Sequence, residues 1–183
     1  SAKVATVVNF PDGGSDAARI GRETRRAIAA GADEIDMVLP YRALLAGDAA
    51  LARTCVDACR AACGDGVLLK LIIESGELAT PERIREACRI GLDAGVDFLK
   101  TSTGKVTVNA TTDAAAIMLD EIAEAGGRCG FKAAGGIRTL AAAADYLALA
   151  DARLGADWVS PQRFRIGASA LFDELAAVLA AAP

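Results

Sequence analysis

The sequence predicts an α/β fold in which parallel strands alternate with helices, in the manner of a (β/α) barrel. Three observations predict it. Strand-like and helix-like segments alternate six times, in units of about thirty residues, the size of βα repeats. Residues 67–74 are almost continuously apolar, as a strand buried on both faces is. Residues able to do chemistry stand at the ends of successive strands: Asp36, Glu74, Lys100 and Lys132. Barrels place their sites there. An open doubly wound sheet is the competing architecture. The absence of Gly-x-Gly-x-x-Gly after the first strand weakens its dinucleotide-binding form.

The elements follow in order. Residues 3–9 form the first strand, and Phe10-Pro-Asp-Gly-Gly14 a loop. Ser15 or Asp16 caps a helix running to about Ala30, with Gly31 just past its end. Residues 34–39 form the second strand, stopped by Pro40 and carrying Asp36. Helical periodicity fills residues 42–63, with a break at Gly47-Asp48. Residues 67–74 are the third strand. Thr80-Pro81 starts a helix that ends near Gly95, because threonine caps and proline suits the first helical position. Phe98 to Lys100 lie in the fourth strand. Thr111-Thr-Asp113 opens a helix ending at Gly126-Gly127. Residues 128–133 form the fifth strand, and a helix runs from Thr139 to Gly155. Residues 156–160 read as a short sixth strand. Gly167-Ala-Ser169 begins a last helix reaching about Ala180.

Composition narrows the chemistry. The net charge is −4, and there is no basic run for a nucleic acid to meet. No apolar stretch approaches the ~20 residues of a membrane span. A signal peptide before the first strand is not expected. Five cysteines without scaffold spacing suit a reducing compartment, so the expected location is cytoplasmic. The chain has no histidine. That excludes Ser-His-Asp hydrolases, Cys-His proteases and histidine-ligated zinc. Lysine, carboxylate, tyrosine and cysteine are left as candidate catalysts. Cys55, Cys59 and Cys63 share a helix face, where free cysteine packs as a small buried hydrophobe rather than as a thiolate metal ligand.

Lysine is used sparingly. Of 20 basic residues only five are lysines, at positions 3, 70, 100, 105 and 132. Four of them lie in or just after apolar strands. Arginine stays protonated, whereas a lysine can be tuned to the free amine. Strand parity puts Glu34, Asp36 and Val38 on one face, and Lys70, Ile72 and Glu74 on another. If those faces meet in a barrel interior, Lys70, Asp36, Lys100 and Lys132 converge. Burial and like charge then press one lysine toward its neutral, nucleophilic form. Such an amine attacks carbonyls to give an imine, and Asp36 with a water could move the protons. Gly135-Gly136-Ile-Arg138 and Gly167-Ala-Ser169 offer backbone N–H groups to an anion. Loops after the last strands of a barrel are common phosphate sites.

These residues resemble the deoxyribose-phosphate aldolases, lysine-dependent (class I) enzymes of TIM (β/α)8 barrel fold. The resemblance spans essentially all 183 residues. It rests on Val4-Ala-Thr-Val-Val-Asn-Phe-Pro11, Ala32-Asp-Glu-Ile-Asp36 with Pro40-Tyr-Arg-Ala-Leu44, Leu69-Lys-Leu-Ile-Ile-Glu74, Phe98-Leu-Lys-Thr-Ser-Thr-Gly-Lys105, Gly130-Phe-Lys132 with Ala134-Gly-Gly-Ile-Arg138, and Gly167-Ala-Ser169. It implies reversible cleavage of 2-deoxy-D-ribose 5-phosphate to D-glyceraldehyde 3-phosphate and acetaldehyde. Lys100 would form the Schiff base, Lys132 would lower its pKa, and Asp36 would relay protons. Lys70, Gly104, Lys105, Gly135, Gly136, Arg138, Gly167 and Ser169 would bind substrate. The resemblance implies no metal and no organic cofactor; the expected partner is a small phosphorylated sugar, with no nucleic acid and no membrane, and a homodimer is compatible with the family. One aldolase barrel domain is expected over residues 1–183, N-terminally incomplete, because about six βα units are visible where the barrel has eight. Ala133 and Ala170 replace a proline and a serine common in the family, and the family's tyrosine-bearing tail is not seen. Two alternatives remain: a Schiff-base aldolase for another phosphorylated sugar, and an inactive barrel fragment that pairs with another chain.

Overall fold

The computed structural model describes residues 2–168 and 170–181, without the side chains of Ala170 and Ala181. Six strands form one sheet: β1 (Ala5–Val8), β2 (Glu34–Val38), β3 (Leu68–Ile72), β4 (Phe98–Lys100), β5 (Gly130–Ala134) and β6 (Phe164–Gly167). All pair in parallel, each with its predecessor in the chain. Helices fill the connections: α1 (Ala17–Ala29), α2 (Tyr41–Leu45), α3 (Ala49–Cys63), α4 (Ser75–Leu78), α5 (Pro81–Asp93), α6 (Thr112–Glu124) and α7 (Leu140–Leu154), with α8 (Ala170–Ala181) last. A doubly wound sheet reverses its strand order, and this one never does. It curls as a barrel wall. Arg165 of β6 reaches Glu34 of β2 at 2.7 Å through the interior, although three strands lie between them. β1 and β6 are the two edges of this part-barrel.

Alternation sorts each strand into two faces. Ile35, Met37, Leu69, Leu71, Leu99 and Phe131 are fully buried between sheet and helices. Cys55, Cys59, Val56, Cys88, Met118 and Leu119 meet them from the helical layer. The cysteine face of α3 is therefore core packing. The opposite face turns inward, and its registered pairs Asp36 with Lys70, Ile72 with Lys100, and Lys100 with Lys132 place the charged residues side by side.

Helix starts follow local chemistry. Asp16, Asp48, Thr80, Thr111 and Thr139 each accept a hydrogen bond from the backbone N–H three residues on, satisfying a donor that the helix leaves open. Asp48 also explains the break expected at Gly47-Asp48.

Three expectations change. Residues 156–160 are not a strand: Ala156–Trp158 is a 3₁₀ turn, and the sixth strand is Phe164–Gly167. Trp158 decides this, because its indole is buried and Nε1 donates to Gly127 O at 2.7 Å, turning the segment down onto the end of α6. Phe131 N donates instead to Arg163 O at 2.7 Å, which leads the next segment into the sheet. Gly167 consequently ends β6 rather than opening the last helix, which begins at Ala170. The third strand stops at Ile72. Glu74 takes a left-handed backbone, φ 56°, and starts the short helix α4. Among the described residues no helix is long and apolar enough to cross a membrane.

Candidate active site

The inner face converges on one carboxylate. Asp36 Oδ1 accepts from Lys70 Nζ at 2.6 Å. Asp36 Oδ2 accepts from Lys100 Nζ at 2.7 Å and from Lys132 Nζ at 2.9 Å. Three adjacent strands supply the lysines to an acid on the fourth. Lys70 has no exposed surface, and Asp36 and Lys100 are 3% and 8% exposed. The four residues expected to meet do meet.

Burial alone would push Asp36 up. Lys100, Lys132 and Lys70 outweigh it and hold the carboxyl well below the usual range, so Asp36 is an anion at neutral pH. Lys100 moves the other way from an ordinary lysine. Burial depresses its pKa, Asp36 pulls it up, and Lys132 presses it down again, leaving it lowered. A larger share of Lys100 is therefore the free amine, the form that attacks carbonyls. Glu74, buried at the end of β3, is pushed up by burial. Its carboxylate accepts from Thr103 N at 3.2 Å, which fixes the loop after β4.

Above the lysines lies a cleft of about 420 Å³ at the C-terminal ends of β4, β5 and β6. Lys100, Lys132, Gly104, Gly135, Gly136, Arg138 and Gly167 all line it. Gly135 and Gly136 have φ of 89° and 82°, and a Cβ on Gly135 would strike the Asn109 side chain at 2.8 Å. Only glycine allows that turn, which keeps the cleft wall free of side chains. Lys105 is the exception: it is exposed and does not line the cleft. Ser169 lies outside the described residues. Asp36 and Lys70 lie below the cleft, in contact with its two lysines or with each other. A larger cavity, about 740 Å³, opens at the opposite end of the strands. Its two cations are both paired, Lys3 with Asp33 at 3.0 Å and Arg60 with Asp97 at 2.8 Å, and neither Lys100 nor Lys132 lines it.

The chain matches the model of the DeoC/LacD family aldolases over residues 1–174. It belongs to that family. The aldolases are lyases of carbon–carbon bonds, which is the chemistry an activated amine beside a carboxylate suits. Solved structures agree. One, from Toxoplasma gondii ME49 and provisionally assigned as a deoxyribose-phosphate aldolase, superposes with a TM-score of 0.91 at 28% identity, over 99% of this chain and 72% of that one. A second, from Coccidioides immitis and assigned in the same way, gives 0.79 at 29% identity, over 95% of this chain and 64% of that one. The tetrameric deoxyribose phosphate aldolase of Aeropyrum pernix gives 0.77 at 23% identity, over 98% and 69%, and shows the shared fold. The fold is thus that of the TIM-barrel aldolases, with about six βα units present.

Sequence reasoning missed Arg165, which enters the interior from β6 and pairs with Glu34. The misplaced sixth strand hid it. The alternation in Phe164-Arg-Ile-Gly167 was the available signal.

Proposed function

We propose that this chain is a class I aldolase that reversibly cleaves 2-deoxy-D-ribose 5-phosphate to D-glyceraldehyde 3-phosphate and acetaldehyde. The observation that carries the reading is the buried Lys100 amine, 2.7 Å from Asp36 Oδ2, with Lys132 on the same oxygen. The Lys100 amine adds to the aldehyde carbon of the open-chain sugar. The carbinolamine loses water and leaves a protonated imine. Asp36, acting through a water, takes the proton of the C3 hydroxyl. The C2–C3 bond breaks, its electron pair moves into the imine as an enamine, and glyceraldehyde 3-phosphate departs. Protonation of the enamine carbon gives the acetaldehyde imine, which water hydrolyses. Lys132 keeps the amine neutral between turnovers. Gly104, Gly135, Gly136, Arg138, Gly167 and Ser169 take the sugar phosphate, with Lys105 as a solvent-side cation. No step calls for a metal or an organic cofactor.

The test is borohydride trapping with acetaldehyde, followed by peptide mass mapping. The expected result is an ethyl adduct on Lys100. A Lys100→Ala chain should fold, trap nothing and turn over no substrate. Normal turnover by that folded variant would refute the assignment. Substrate profiling then separates this reaction from aldol cleavage of another phosphorylated sugar, since only this one uses acetaldehyde as donor.

A further inference from the structure

Below the reacting lysines the interior holds a second charged pair, for which the aldol steps have no use. Arg165 Nη1 donates to Glu34 Oε2 at 2.7 Å. The same oxygen lies 2.7 Å from Lys70 Nζ, which in turn donates to Asp36 Oδ1 at 2.6 Å. A continuous chain therefore runs from β6 across the interior to the carboxylate facing Lys100. Its inner members are buried, Glu34 at 4% and Lys70 at 0% exposed. Arg165 is held at two further points. Its guanidinium sits 4.7 Å over the Phe98 ring, and Nε donates to Pro161 O at 3.1 Å.

The consequence falls on Asp36. Its two oxygens serve three ammonium groups, and the division is unequal: Lys70 takes Oδ1, while Lys100 and Lys132 share Oδ2. A carboxylate free to rotate would exchange these partners. Lys70 prevents that only if it cannot follow the rotation, and Glu34 ties it down from the far side. Arg165 fixes Glu34 in its turn. Buried polar networks with every member satisfied are rigid, and a reacting constellation must hold within roughly 0.5 Å.

We propose that Glu34 and Arg165 are positioning residues for proton transfer: they clamp Lys70 against one oxygen of Asp36 and so aim the other at Lys100 and its imine. This rests on the aldolase reading above.

Two reactions of acetaldehyde alone separate the roles. Borohydride trapping needs only the Lys100 amine. Exchange of the acetaldehyde methyl hydrogens for solvent deuterium needs the imine and also the shuttle, which removes a proton to give the enamine and returns a deuteron. In Glu34→Gln and in Arg165→Met, trapping should stay within about twofold of the unaltered chain, while exchange falls by about tenfold or more, as loss of aimed acid–base catalysis implies. Arg165→Lys should recover part of the exchange lost in Arg165→Met. A purely structural role would lower trapping and exchange in proportion, and that result would overturn the proposal, as would exchange at the original rate. If Glu34→Gln fails to fold, Arg165→Met still decides, since the Arg165 side chain is only part-buried at 30% exposure. Trapping on the unaltered chain is the control: its absence would sink the aldolase reading, and this inference with it.

Discussion

Lys100 and Lys132 share one oxygen of Asp36, at 2.7 and 2.9 Å, so each ammonium raises the cost of the other. Lys132→Leu removes a positive charge from beside Lys100 and keeps bulk in its place. The pKa of Lys100, now lowered, should rise. The acid limb of the pH–rate profile reports deprotonation of the attacking amine, so it should move to higher pH and activity at neutral pH should fall. A pH–rate profile that kept its acid limb would argue against this role for Lys132. These residues were legible in the sequence for a simple reason. Lysine on an apolar strand is costly, there are only five in the chain, and two-residue parity says which way each points. Arg165 was not, nor was its pairing with Glu34, although parity sets Glu34 on the face of Asp36. Their partnership joins residues 131 positions apart, and no local pattern announces a contact across a curved sheet. Lys105 was named from the family motif alone, and its exposed position in the loop after β4 is likewise invisible to strand parity.

At the scale of elements, the loop between β4 and α6 sets the roof of the site, and α4 supports it. A Cβ on Gly76 of α4 would sit 1.9 Å from Val108 O in that loop. Nothing flexible can give way there, because the obstacle is backbone. Gly76→Ala should push the loop outward at a cost of about 1–3 kcal/mol, the range of overpacked sites. Gly104 lies on the same loop, so KM for the phosphorylated sugar should rise more than KM for acetaldehyde in the synthetic direction. Steady-state kinetics with both substrates checks this; an equal change in the two would place the strain elsewhere. α4 itself was not foreseen. Its onset depends on the left-handed turn at Glu74, whose carboxylate is occupied by Thr103 N at 3.2 Å. That is tertiary information. Helices with Thr or Asp caps were legible to within a residue or two, because their start signals are local.

For the whole molecule, the decisive feature is that the curled sheet has two edges. Val7 of β1 is in register with Asp36 and shares its inward face, yet it is 39% exposed. The interior therefore opens to solvent along β1. On the outside, α8 turns Phe172, Leu175 and Leu179 to water at 70%, 42% and 66% exposure, at the spacing of one helical stripe. Unpaired edges and apolar stripes both favour association. Light scattering should show this chain associating as its concentration rises. The two surfaces can be told apart by substitution. Phe172→Glu combined with Leu179→Lys changes only the helix, far in sequence from β1, and should reduce association if the stripe supplies most of the contact. Scattering that stayed as high in this double variant would shift the contact to the strand edge. In that case turnover per chain should climb with concentration, because a strand added at β1 would cover Val7 and wall in the Asp36 cluster. A stripe-driven assembly leaves that opening as it is, and turnover per chain should then stay level across the same range.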